Sequence, residues 1–219
     1  MSSIVITGYN SNIAKNLIKI LKKREDIEII KAGRCKKADI FVEFDRFDSV
    51  QKFVQTLRET SFSHLLICHG VLYGEKIDNL NENECTKSVF VNMSSVIFLL
   101  EELTNFKYVN TLVISSISGK KGSYDNLYAS CKAGVDLAVK TISKQLDSTS
   151  RLNALAPGII GDTRMTMERK DKENLQNILS TIPTRQFSTS LEVAELAYYI
   201  LFKSNNVNAS IIDINGGHY

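Results

Sequence analysis

The sequence of 219 residues has no tryptophan and only two prolines. It has no Pro-, Gly- or Ser-rich stretch that reads as a linker and no internal repeat, so a single domain over residues 1–219 is the economical reading. No apolar run approaches the ~20 residues of a membrane span, so no membrane partner is expected. No basic patch accompanies the net charge of +3, which argues against a nucleic-acid partner. The four cysteines (Cys35, Cys68, Cys85 and Cys131) include no Cys-x-x-Cys pair. That spacing argues against a zinc site and a disulfide framework, and no metal is expected. Met1-Ser-Ser leads straight into Ile4-Val5-Ile6 with no secretory signal, and a reducing cytoplasm is the natural setting.

What is present is ordinary for a globular chain: 43% hydrophobic and 23% charged residues. Short apolar runs alternate with helical patterns. Strands are predicted at Ile4–Thr7, Ile27–Ile30, Ile40–Val42, Leu65–Cys68, Thr111–Ser115, Leu152–Leu155 and Ile211–Ile214. Helical spacing covers Ile13–Leu21, Phe47–Leu57, a long stretch from Glu84 to Leu103, and Leu191–Phe202. Tyr124, Tyr128, Cys131, Val135, Ala138, Ile142 and Leu146 step along one further helix face. Strands that are apolar without alternation are buried on both faces. The order implies an α/β fold: a doubly wound parallel sheet of about seven strands with helices on both faces. Residues 161–181 break the rhythm with a polar, charged segment. It reads as a helical substrate lid at the carboxyl ends of the strands, or as a surface excursion whose charges (Arg164, Glu168, Arg169, Lys170, Asp171, Lys172) are solvated.

The first strand runs into Thr7-Gly8-Tyr9-Asn10-Ser11-Asn12-Ile13-Ala14. A dinucleotide site needs a tight turn here, so that helix N-terminal amides face a pyrophosphate. Gly8 supplies the turn, Asn12 tolerates positive φ, Ala14 permits close helix–strand packing, and Asn10, Ser11 and Asn12 are good caps. After the second strand, Lys31-Ala32-Gly33-Arg34 carries no carboxylate to hold a ribose 2′-hydroxyl. Arg34, with Lys36 and Lys37, either pairs a 2′-phosphate or forms a solvated basic loop.

Tyr128 and Lys132 stand four apart in Tyr128-Ala129-Ser130-Cys131-Lys132, twelve residues after Ser116 in Ser115-Ser116-Ile117-Ser118-Gly119. Spacing i, i+4 puts both on one helix face. A phenol ionises near pH 10 in water, so it needs a neighbouring ammonium to act as a base at neutral pH. A Ser116 hydroxyl nearby stabilises charge on a carbonyl oxygen. The bland alternative is a core tyrosine beside a solvated lysine.

Taken together, these elements resemble the short-chain dehydrogenase/reductase family over the whole chain. Its Thr-Gly-x-x-x-Gly-x-Gly turn matches residues 7–14, with Gly8 kept and Asn12 and Ala14 in place of the other glycines. Its catalytic Asn, Ser, Tyr and Lys match Asn92, Ser116, Tyr128 and Lys132 in order. Cys68-His69-Gly70 resembles its Asn-Asn-Ala-Gly turn with only Gly70 intact, and His69 there suits a structural or cofactor-packing role. Asp45 falls where the family's adenine-contacting Asp lies. Asn153-Ala154-Leu155-Ala156-Pro157-Gly158-Ile159-Ile160 resembles its Pro-Gly motif, and Asn215-Gly216-Gly217 its terminal Asp-Gly-Gly.

The resemblance implies a Rossmann-type fold and NAD(P)(H)-dependent interconversion of a carbonyl and a secondary alcohol on a small-molecule substrate. The cofactor contacts it implies are Thr7, Gly8, Asn10, Ser11, Asn12, Ile13, Arg34, Asp45, Cys68, His69, Gly70, Tyr128, Lys132, Pro157, Gly158, Ile160 and Thr163. Arg34 favours NADP(H) over NAD(H). In the same resemblance Tyr128 is the acid/base, Lys132 tunes it and holds the nicotinamide ribose, Ser116 orients substrate, and Asn92 anchors a proton-relaying water. A homodimer or homotetramer built on two long helices is implied as well. The alternative is a catalytically retired nucleotide-binding regulator on the same fold, suggested by the two missing glycines.

Overall fold

The computed structural model describes residues 2–23, 27–169 and 174–219. Its strands are β1 (Ser2–Thr7), β2 (Ile27–Gly33), β3 (Ile40–Phe41), β4 (His64–Ile67), β5 (Asn110–Ile114), β6 (Arg151–Pro157) and β7 (Ile211–Ile214). Its helices are α1 (Asn12–Leu21), α2 (Phe47–Glu59), α3 (Glu82–Val89), α4 (Ser95–Glu102), α5 (Ser118–Lys121), α6 (Asn126–Ile142), α7 (Arg164–Met167), α8 (Leu175–Thr181) and α9 (Ser190–Phe202). The strands form one parallel sheet in the order β3-β2-β1-β4-β5-β6-β7. From β1 the chain builds outward to β2 and β3, then returns to place β4 on the other side of β1. Such a reversal leaves a crevice at the carboxyl ends of the strands.

The strands are apolar because both faces are covered. Within β1, Ile4 and Ile6 pack toward α1 and α9, while Val5 packs toward α2, α4 and α6. Leu66 and Leu112 join the first layer; Leu65, Ile67 and Val113 join the second. Each is at most 1% exposed.

One predicted element differs. Spacing suggested an unbroken helix from Glu84 to Leu103. The helix instead begins at Glu82, because Asn81 and Glu84 form a reciprocal capping box. It is then interrupted by a π-turn over Phe90–Ser94 before α4 resumes. The apolar residues keep recurring through a π-turn, so periodicity alone hides it. Smaller shifts occur at the ends: Val42 and Ser115 lie just beyond β3 and β5, and Tyr124 and Leu146 lie outside α6. Residues 161–181 contain α7 and α8; Lys170, Asp171 and Lys172 lie outside the described residues.

Candidate active site

Helix α6 is started by Asp125, whose Oδ1 accepts from the Tyr128 backbone N–H at 2.9 Å. The same carboxylate accepts from the Gly74 N–H at 3.3 Å, which ties the loop after β4 to the helix start. Gly119 on α5 sits so close that a Cβ there would lie 2.8 Å from the Ala133 nitrogen. This contact lets α5 press α6 against the exit of β5 beside Lys132.

The predicted residues meet at that exit. Tyr128 is 8% exposed, and the Ser116 hydroxyl is near enough to pull its pKa down. Ser116 Oγ is held in turn by the Ser118 N–H at 3.1 Å. Lys132 is 4% exposed; its Nζ donates to the Ile114 carbonyl at 3.0 Å and lies 5.6 Å from the centroid of the Tyr128 ring. Burial lowers the Lys132 pKa to about 8. Burial also pushes Tyr128 up to about 12, against a counter-pull from the Ser116 hydroxyl. The sequence led to the expectation of a phenol lowered by Lys132; in this pocket the loss of water around the ring outweighs such help, so the net shift is upward and the neutral phenol is favoured.

Asn92 is fully buried inside the π-turn. Its Oδ1 accepts from the Val71 N–H at 2.9 Å and its Nδ2 donates to the Val71 carbonyl at 2.8 Å. The side chain is therefore committed to the loop after β4, and any relay through this residue falls to its backbone.

At the first turn, Gly8 has φ +60°. A Cβ there would stand 2.6 Å from the Cys68 carbonyl oxygen, so β1 leaves directly against the exit of β4. Ser11 caps α1 by accepting from the Ala14 N–H at 3.1 Å, and its Oγ lies 3.1 Å from Cys68 Sγ. Asn12 does not take the positive φ foreseen for it. It is the first residue of α1 and is helical, so the missing glycine is not demanded by backbone geometry. Its Nδ2 instead donates to the Asp162 carbonyl at 2.5 Å. The Asp162 carboxylate accepts from the Ser190 N–H and hydroxyl, and Asn16 Nδ2 donates to Ser190 Oγ at 2.9 Å. Four side chains, Asn12, Asn16, Asp162 and Ser190, thus fasten the head of α1 to the loop after β6 and to the head of α9.

His69 Nδ1 lies 2.8 Å from Thr7 Oγ1, and Nε2 lies 3.1 Å from Ser95 Oγ. The ring stacks on Phe44 at 3.7 Å. Burial, with Lys132 nearby, lowers its pKa to about 3, so it is neutral and structural. Arg34 is exposed just beyond β2, and Asn10 Nδ2 donates to the adjacent Cys35 Sγ at 2.9 Å, so the arginine flanks the first turn. Asp45 is paired with Lys87 of α3 at 3.3 Å and braces that helix. The Ile117 N–H donates to the Pro157 carbonyl at 2.9 Å, which joins the Pro157-Gly158 turn to the Ser116 loop. Thr163 Oγ1 donates to the Ile160 carbonyl at 3.1 Å. Among the described residues no group of three His, Cys, Asp or Glu side chains is placed to hold a metal ion.

The sequence profile of the family described as enoyl-(acyl carrier protein) reductase matches residues 14–218. The whole chain superposes on a short chain dehydrogenase family protein of Francisella tularensis with a TM-score of 0.87 at 19% identity, covering 98% of that protein. A short-chain dehydrogenase/reductase of Brucella melitensis superposes equally well, at 0.87 and 18% identity over 96% of its length. The chain belongs to the short-chain dehydrogenase/reductase family. Nodulation protein G of Rhizobium is 30% identical over 136 residues; these are 58% of this chain and 54% of that protein, so the match spans about half the relative's length. Glucose 1-dehydrogenase 2 of Bacillus subtilis is 23% identical over 204 residues, 88% of this chain and 79% of that protein.

Within this short-chain dehydrogenase/reductase, Ser116, Tyr128 and Lys132, expected from the sequence to act together, lie at one strand exit. Two site residues escaped the sequence reading. Asp162 gave no signal, because its partners Asn12 and Ser190 lie 150 and 28 residues away in the chain. Asp136 did leave one: it stands four residues after Lys132 in the same stripe, where an acid among apolar neighbours was the anomaly to notice.

Proposed function

We propose that this chain is an NAD(P)(H)-dependent oxidoreductase that interconverts a carbonyl and a secondary alcohol on a small molecule. The observation that carries the reading is the convergence of Ser116, Tyr128 and Lys132 on one strand exit, with the Ser116 hydroxyl near Tyr128 and Lys132 held beside the ring. Binding alone has no need of that arrangement, which speaks against a retired regulator.

The first turn suits the dinucleotide. Gly8 lets β1 turn away against the exit of β4, where a Cβ would strike the Cys68 carbonyl, and the amides of Asn12 and Ile13 head α1, where no earlier turn supplies carbonyls. Arg34 stands beyond β2 where no carboxylate follows Ala32 and Gly33, which favours a 2′-phosphate and hence NADP(H). Thr7, Cys68, Gly70, Pro157, Gly158, Ile160 and Thr163 line the other strand exits along the same edge. When bound, the nicotinamide supplies or accepts the hydride.

The protein handles the proton and the oxygen. A phenol with a pKa of about 12 is protonated at neutral pH, so Tyr128 is ready to donate to the oxygen of a carbonyl undergoing reduction. Ser116 directs its hydroxyl to the same oxygen. Lys132, charged below pH 8, stabilises the phenolate left behind. A cytoplasmic setting suits the four free cysteines. A homodimer or homotetramer through α6 and α4 is the assembly that the family resemblance implies. Residues 161–181 serve as the substrate lid.

The test is Tyr128→Phe, assayed by nicotinamide absorbance over a panel of ketones and alcohols, sugar-derived ones included. Turnover should vanish while NADPH binding, followed by fluorescence, persists. Near-wild-type turnover sinks the assignment, and a clear preference for NADH in the same titration removes Arg34 from its role.

A further inference from the structure

Helix α6 buries an acid for which the chemistry above has no use. Tyr128, Lys132 and Asp136 follow at four-residue intervals on its buried face. Each engages a different residue of one strand exit. Tyr128 meets Ser116, Lys132 Nζ donates to the Ile114 carbonyl, and Ser115 Oγ donates to Asp136 Oδ1 at 2.5 Å. Asp136 is 8% exposed, and its Oδ2 is buried without a hydrogen-bond partner among the described residues. A buried carboxyl with one oxygen unmatched costs stability, and an apolar residue of similar size would serve packing better.

The ties around it explain what the acid is for. The Ser115 and Ile117 N–H groups donate to the Leu155 and Pro157 carbonyls, which secures the exit of β5 to the β6 side but not to α6. Toward α6, the other side-chain tie is the Lys132 bond to the Ile114 carbonyl, which the chemistry at Tyr128 and Lys132 disturbs when a proton moves. The Ser115–Asp136 bond takes no part in that transfer.

We propose that Asp136 is a positioning residue: by accepting from Ser115 it keeps residues 114–116 in register with α6, and so sets the spacing among Ser116, Tyr128 and Lys132. The proposal rests on the oxidoreductase reading above. It makes the acceptor oxygen, and not the negative charge, the working feature.

The experiment compares Asp136→Asn, Asp136→Ala, Ser115→Ala and the double variant Ser115→Ala/Asp136→Ala, each checked for folding by circular dichroism. Asp136→Ala and Ser115→Ala should lower kcat by about tenfold or more, since small misplacements of reacting groups are costly. KM for the nicotinamide nucleotide should stay within about twofold, because binding is not what is lost. Asp136→Asn keeps an acceptor and should restore at least about half of kcat, and the double variant should be no worse than Asp136→Ala, as expected of two groups acting as one unit.

A second readout needs no turnover. In the nucleotide-free protein, acetylation of Lys132 by acetic anhydride, quantified by mass spectrometry, should rise severalfold in Asp136→Ala and Ser115→Ala and stay at the wild-type level in Asp136→Asn. Should Asp136→Ala fail to fold, Ser115→Ala, which removes a single oxygen atom, carries the comparison. Wild-type kcat and wild-type labelling in the alanine variants overturn the proposal, as does an Asp136→Asn variant impaired as much as Asp136→Ala. A wild-type protein that turns over none of the carbonyls or alcohols defeats the oxidoreductase reading instead, and the labelling then decides the register claim by itself.

Discussion

Asn12 occupies a place where a glycine would leave nothing but backbone, and its amide reaches across to the Asp162 carbonyl. On the proposed function, a nucleotide held between the first turn and the loop after β6 has to part that contact to leave. Asn12→Gly should therefore speed NADPH release by roughly two- to tenfold, the factor that a net hydrogen bond of about 1 kcal/mol represents. Stopped-flow fluorescence measures it, and an unchanged release rate shows that the contact does not restrain the nucleotide. At this scale the sequence was legible wherever spacing carries the chemistry: Ser116, Tyr128 and Lys132 sit on one strand exit and one helix face, so local periodicity places them. Asn12 was misread because a motif comparison treats it as a substitute for glycine, whereas its role is a bond to a residue 150 positions away. Asp136 was passed over because apolar stripes are traced through Val135 and Ala138, and an acid between them looks like a solvated interruption.

The element that spacing could not resolve is the π-turn of Phe90–Ser94. Its extra residue lets Asn92 turn inward and clasp both backbone groups of Val71, a geometry that π-turns recurrently provide at functional sites. Asn92→Ala leaves the Val71 N–H and carbonyl without these partners. The expected loss is about 1–3 kcal/mol in urea-unfolding free energy, together with a lower kcat. A loss under about 0.5 kcal/mol, in the range of an ordinary surface substitution, says that the clasp is dispensable. The helix start was legible in principle, since Asn81 and Glu84 are a capping-box pair three residues apart. The remaining boundaries moved by a residue or two, as helix and strand ends do.

For the whole molecule, the sheet and its two covering layers were readable from seven apolar runs, because a parallel strand buried on both faces has no polar side to disguise it. What the runs do not carry is the polar wiring between layers, and His69 illustrates its consequence. The folded protein keeps this ring neutral down to about pH 3, while an unfolded histidine gains a proton below about 6.5. The unfolded state then binds more protons, so this contribution to stability is complete above pH 6.5 and is lost as pH falls toward 3, at about 1.4 kcal/mol per pH unit. His69→Asn should narrow the difference between urea midpoints at pH 7.5 and pH 4.5, and an equal difference in both proteins assigns the acid sensitivity elsewhere.

The fastening of α1 to α9 also has a meaning in time. Ser190 is made 174 residues after Asn16. During synthesis from the N-terminus, β1 and the first turn emerge early, yet the groups that lock them arrive only with the last stretch of the sheet. A nascent chain halted before residue 190 should hold its first turn loose and show no affinity for nucleotide, so the ability to bind is gained only once the head of α9 has been made.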